Sequence, residues 1–210
     1  RKEEIVMNPK ITKEDLKGKL TGVIKDRIDL MIDNRDRITT IKSNSITFSK
    51  PIMVKGGSNV FYPNTVNIIQ GQTGAHKSRL AQHIVSAFIM TESLPYKLLG
   101  FSKVNIISPL CLYVDTERNI SYQFPHAVQI ILIDGGFKKE EEPVNLDYIS
   151  LLPNKREERF SDLKVYLELL RHKTDRHIIV FLDVVTDCIT NFNDPEESMR
   201  LIDLINDYIN

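Results

Sequence analysis

The chain has 210 residues, 41% of them hydrophobic, and its 28 basic side chains are balanced by 28 acidic ones. That length suits one α/β domain with a sizeable buried core and a small N-terminal appendage. The neutral balance excludes a global positive field for nucleic acid, and no stretch approaches the ~20 apolar residues of a membrane span or opens the chain as a signal peptide.

Two cysteines, Cys111 and Cys188, stand far apart in apolar or strand-end surroundings. They read as ordinary buried thiols in a reducing cytosol, not as a disulfide or metal pair, so the expected location is cytoplasmic. The first residue is Arg, which reads as the start of a fragment of something longer.

Residues 1–11 are charged and aperiodic, a frayed arm by composition. From Thr12 the pattern is helical, with Thr12 and Asp15 placed as a capping box. Leu16, Leu20, Ile24 and Ile28 recur every four residues, widened by Val23 and Met31. That stripe packs either on the chain's own core or, as a linker helix, on a neighbouring subunit. The division expected is an arm and linker helix over 1–44, then an α/β domain over 45–210.

The period changes over 37–62, where Ile46–Phe48 and Ile52–Val54 suit short strands broken by Pro51 and by Gly56-Gly57. Pro63-Asn64 makes a turn, Asn being one of the few residues that tolerates a positive φ. A central strand is expected at Val66–Ile69, and a helix from about Lys77 to Thr91. Leu110–Val114 is apolar throughout, as a strand buried on both faces of a parallel sheet requires. A helix over Phe124–Asp134, stopped by Gly135-Gly136, precedes a solvated charged loop at Lys138–Glu142. A strand follows at Leu146–Leu152, then a helix capped by Ser161 and ending near His172. The last strand is His177–Leu182, and the last helix has Asp194 as cap and Pro195 at its first position. Strands alternating with helices at this spacing predict an α/β fold with a doubly wound, mainly parallel sheet.

The stretch that carries chemistry is TVNIIQGQTGAHKSRL, Thr65–Leu80. Gly71, Gly74, Lys77 and Ser78 stand at the offsets of a phosphate-binding loop between a strand and a helix N-terminus. In such a loop the backbone N–H groups cradle the phosphates, which needs a tight curl that glycine permits. The candidate nucleotide-binding residues are therefore Gly71, Gln72, Thr73, Gly74, Ala75, His76, Lys77, Ser78 and Arg79. Lys77 reaches the terminal phosphates and Ser78 ligates Mg²⁺. His76 stands where the common motif has glycine. It is a tolerated substitution, the mark of a weakened site, or itself a phosphate contact.

Two acids complete the constellation. Asp183 ends one apolar strand, where a carboxylate can hold Mg²⁺ beside a triphosphate. Glu117 follows another, where it can orient an attacking water. Ligands of open α/β sheets bind outside the carboxyl ends of the strands, where both acids fall.

Together GQTGAHKS, LYVDTERN and IIVFLDVVTD resemble the RecA/KaiC-like P-loop ATPases, including the RepA type of hexameric helicase. The resemblance spans about Ile46 to Asn210 and extends to YPNTVNII, which is similar to the turn and strand before the loop in RepA-like proteins. It implies a RecA-like fold, with ATP and Mg²⁺ as cofactors and ATP hydrolysis as the activity. Glu117 and Lys77 take the catalytic roles, and Ser78 with Asp183 the metal. It also implies a homo-oligomer, a hexamer for a full-length protein, and service in DNA replication, mobilisation or recombination. The chain departs from the pattern at His76. It also has no counterpart of the family's next strand, sensor residue, later DNA-contacting loop or inter-subunit arginine. Residues 186–194, which occupy a place where relatives meet DNA, hold no Lys or Arg and offer little to a phosphate backbone. Beside the ATPase stands a second reading, a nucleotide-binding switch or scaffold with little turnover because of His76. A small-molecule phosphotransferase is a third, with no basic lid-like segment to support it.

Overall fold

A computed structural model describes residues 11–14, 18, 22–91, 98–104, 108–191 and 193–209. The chain divides into two units, Arg1–Phe48 and Ser49–Asn210.

In the first unit, helix α1 runs over Gly22–Lys42, later than the heptad-like stripe suggests and well into the stretch expected to change period. Its Ile32 is buried, while Val23, Ile24 and Met31 of the expected stripe are exposed. A local charge pair supports it instead, Lys25 bonding Asp29 at 2.8 Å one turn on, and Arg35 donates to the distant Ile11 carbonyl at 2.6 Å. Residues 1–10 of the arm, Asp15 of the expected capping box, Leu16 and Leu20 lie outside the described residues. Ile46–Phe48 is not a strand. Phe48 is 84% exposed, and a strand needs a partner ladder that these residues lack.

The second unit opens with an antiparallel sheet of order β2-β1-β3, from β1 (Met53–Lys55), β2 (Ser58–Phe61) and β3 (Phe101–Lys103). Gly56 and Gly57 join β1 to β2 with φ of 55° and 83°, the two positive values a tight hairpin turn demands. Asn64 takes φ 56°, as its side chain allows.

The principal sheet is parallel and three-stranded, of order β5-β4-β6, with β4 (Leu110–Asp115), β5 (Leu146–Ser150) and β6 (Ile178–Asp183). Every residue of β4 is buried, as its unbroken apolar run requires. Its side chains alternate between two cores. Cys111 and Tyr113 join the cluster of α2 (Lys77–Ile89) and α3 (Gln123–Asp134), whereas Leu112 and Val114 join Leu163 and Leu167 of α4 (Arg159–Arg171). Helices therefore cover both faces of the sheet. Cys111 and Cys188 are buried free thiols, and burial pushes the Cys188 thiol up to about 11, out of reach of thiolate chemistry.

Two helix starts test the capping rules. At α5 (Pro195–Ile209) the Asp194 carboxylate accepts from the Glu196 N–H at 2.9 Å, the expected cap. At α4 Ser161 is not the cap; its hydroxyl donates to the Glu158 carbonyl at 2.7 Å, inside a helix that starts two residues earlier.

The largest departure lies before the loop. Thr65–Gln70 forms no strand and is exposed, with Ile68 at 79%. An apolar run carries no period of its own, and only a paired neighbour makes it a strand. Here neither sheet includes it.

Among the described residues, no helix is long and apolar enough to cross a membrane.

Candidate functional site

The site grows from the register of the parallel sheet. Asp115 is paired with Asp183, so β4 and β6 end side by side at the same level. The turn after β4 is fixed by its own first acid: the Asp115 Oδ1 accepts from the N–H groups of Glu117 (3.1 Å) and Arg118 (2.7 Å). Thr116 is fully buried and ties this turn to the end of β6. Its N–H donates to the Asp183 carbonyl at 3.0 Å, its hydroxyl donates to the Val184 carbonyl at 2.8 Å, and the same oxygen accepts from the Val184 N–H at 2.9 Å.

Asp183, buried at the tip of β6, is the meeting point. Its Oδ1 accepts from the Ser78 hydroxyl at 3.0 Å, across 105 positions of sequence. Its Oδ2 accepts from the Tyr113 hydroxyl at 2.9 Å and from the Arg118 guanidinium at 2.7 Å. Arg118 also donates to Asp115 Oδ2. Burial raises the Tyr113 phenol above its ordinary value, and the Asp183 charge adds to this, so the hydroxyl remains a donor. Burial opposes the charge on Arg118, but Tyr113, Asp183 and Asp115 outweigh it and raise its pKa.

The loop itself is exposed from Asn64 to His76. Gly74 has φ 81° and His76 has φ 55° with ψ 30°, so both residues make left-handed bends before α2 begins at Lys77. The glycine of the common motif would enter that bend at position 76 without a side-chain clash, and a histidine enters it at some cost. The Lys77 ammonium folds back over the loop, donating to the carbonyls of Gly71 (2.9 Å) and Gln72 (3.0 Å). Ala75 N–H closes a turn on the Gln72 carbonyl at 3.2 Å.

Of the residues singled out from sequence, Ser78 and Asp183 are brought into contact, with Lys77 next to Ser78 at the helix start. Gln72, Thr73 and Ala75 lie on the exposed loop. Glu117 is exposed two residues beyond Asp115, and its carboxylate pairs with nothing among the described residues. Arg79 points elsewhere, 3.1 Å from Asp134 at the end of α3.

Three residues escaped the sequence reading. Tyr113 and Arg118 flank Asp183; the one signal available is that both lie in the stretch LYVDTERN at the end of β4. Arg159 left none, standing in a charged run. Its buried guanidinium donates to the carbonyls of Thr116 (3.1 Å), Asp187 (2.9 Å), Leu152 (3.0 Å) and Asn154 (3.1 Å). One side chain thus ties together the chain segments that follow β4, β5 and β6.

Compared with known proteins, the chain matches no family model, no curated protein and no solved structure.

The donor set suits Mg²⁺ arriving with a nucleotide. Ser78 and Asp183 offer hard oxygens at one point, and Mg²⁺ takes one or two protein oxygens with phosphates and water completing its shell. Among the described residues no cluster of three His, Cys, Asp or Glu could hold a metal by itself.

Proposed function

We propose that this chain is an ATP-binding, Mg²⁺-dependent ATP hydrolase whose domain is of the RecA-like P-loop kind. The observation that carries the reading is the Ser78–Asp183 contact at 3.0 Å. A chance match to the loop spelling would not place its hydroxyl residue against the acid at the tip of a distant strand. The parallel β4–β6 pair and the helices on both sheet faces support a doubly wound RecA-like domain, while the unpaired Thr65–Gln70 segment counts against it.

In this reading the loop N–H groups and the α2 N-terminus bind the phosphates. Lys77 exchanges its bonds to Gly71 and Gln72 for the phosphate oxygens. Ser78 and Asp183 hold Mg²⁺, which supplies neutralisation of the charge that develops on the transferred phosphoryl group. Glu117 orients water and accepts its proton. A homo-oligomer and service in DNA replication, mobilisation or recombination follow from the resemblance, and a cytoplasmic location from the two free cysteines.

Phosphate release from Mg-ATP by the purified chain tests the reading. Glu117→Gln is expected to lower the rate by about 10²-fold or more while leaving nucleotide binding intact. A wild type that neither binds nucleotide nor releases phosphate overturns it. The left-handed His76 and the unpaired Glu117 favour a second reading, a nucleotide-binding switch without turnover. Hydrolysis gained by His76→Gly from a wild type that only binds would decide for the switch.

A further inference from the structure

Arg118 is a cation at the meeting point to which the nucleotide reading gives no task. Its guanidinium lies between two carboxylates: Nη1 donates to Asp115 and, at 3.4 Å, to the Tyr113 hydroxyl, while Nη2 donates to Asp183 at 2.7 Å. Both carboxylates are largely out of water. The Asp115 side chain is fully buried and that of Asp183 is 10% exposed, with Arg118 at 19%. Asp183 therefore already has its compensating positive charge, delivered by the protein. A divalent cation at the same carboxylate would sit beside a fixed guanidinium, and like charges sharing one site repel.

The arginine has a second seat. Giving up the Nη2 bond leaves Nη1 on Asp115, whose other oxygen holds the turn carrying Glu117. We propose that Arg118 is a tethered cation that competes with Mg²⁺ for Asp183, holding the carboxylate until metal is bound and then withdrawing to Asp115. This rests on the Mg-ATP reading above. A purely structural neutraliser makes the opposite forecast, because removing it would leave the site disordered and the metal more weakly held.

The test measures the affinity of the full chain for a fluorescent ATP analogue, once with a chelator and once with saturating Mg²⁺. The quantity read is the ratio of the two dissociation constants. Arg118→Gln is expected to raise the Mg²⁺-dependent gain by roughly tenfold, the worth of one charge-assisted hydrogen bond no longer opposed. Arg118→Lys, with one compact ammonium in place of a fork, is expected to fall between. An unchanged or smaller gain in Arg118→Gln overturns the competition. If that variant fails to fold, as judged by circular dichroism, an unchanged gain in Arg118→Lys does so. Wild type that binds no analogue under either condition overturns the nucleotide reading and this inference together. Wild type that binds, with the gain unmoved in the variants, overturns the Arg118 role alone.

Discussion

The two halves of the candidate site are held in opposite ways. At the strand ends, Asp115, Thr116 and Asp183 are buried, and their side-chain oxygens are all hydrogen-bonded, to Ser78, Tyr113, Arg118 and the neighbouring backbone. At the loop, residues 64–76 are exposed and are shaped by Lys77, one backbone turn, and the Thr65 and Asn67 side chains, which bond to the Tyr62 carbonyl and to the Thr65 hydroxyl. The acid half is therefore set by folding itself, since its polar groups could not be buried unpaired. The loop half has only local bonds, and those nearest α2 occupy the lysine and two carbonyls that a phosphate would rearrange.

The sharpest way to break this comparison is to remove one anchor from each half. Arg159→Ala deletes a guanidinium that is 5% exposed and leaves four carbonyls short of a donor, so it should lower stability by about 3 kcal/mol. Lys77→Ala removes bonds that water can replace and should change stability by no more than about 0.5 kcal/mol. Urea denaturation of both variants gives the difference. Equal losses would mean that the loop is as firmly built as the strand ends.

The same contrast explains what was legible in the sequence. Leu110–Val114, read as a strand buried on both faces, is one, because a continuous apolar run followed by Asp-Thr-Glu leaves few alternatives. Asp194 with Pro195 marks α5 because capping is local chemistry. Ser78 and Asp183 were each recognisable, and their contact follows once β6 lies beside β4. What could not be read is what depends on partners distant in sequence. Val66–Ile69 has the composition of a strand, yet lies unpaired outside both sheets. The short β3 pairs with β1, in a stretch where the sequence predicts no strand. Arg159 acts through backbone carbonyls, which have no spelling.

A smaller effect probes the acid half alone. Tyr113→Phe keeps the ring, which stacks on Phe124 at 6.2 Å between centroids, and deletes the hydroxyl that donates to Asp183 and accepts from Arg118 at 3.4 Å. The loss should be about 1–2 kcal/mol at neutral pH, read from thermal unfolding. The pH dependence has a definite sign. With its pKa raised in the folded state, the phenol holds its proton while the unfolded chain loses one above the ordinary value of 10. Wild-type stability should therefore fall as pH rises beyond that point, and Tyr113→Phe should fall less steeply. Parallel pH profiles would show that this hydroxyl is not held as described.

The smallest effect belongs to the loop and turns on one dihedral. His76 sits at φ 55° and ψ 30°, where a residue with a Cβ pays roughly 1–2 kcal/mol, somewhat less for histidine than for most. Glycine removes that strain but gives the unfolded chain more freedom, which offsets about 0.5–1 kcal/mol of the gain. His76→Gly should therefore stabilise by less than about 1 kcal/mol, whereas the β-branched His76→Val should destabilise, since such side chains are true outliers in this region. The order Gly, His, Val in melting temperature is the signature of backbone strain at position 76. Should His76→Gly melt below wild type, the imidazole must be holding the loop through a contact of its own. The exposed half of the site would then be better anchored than its hydrogen bonds indicate.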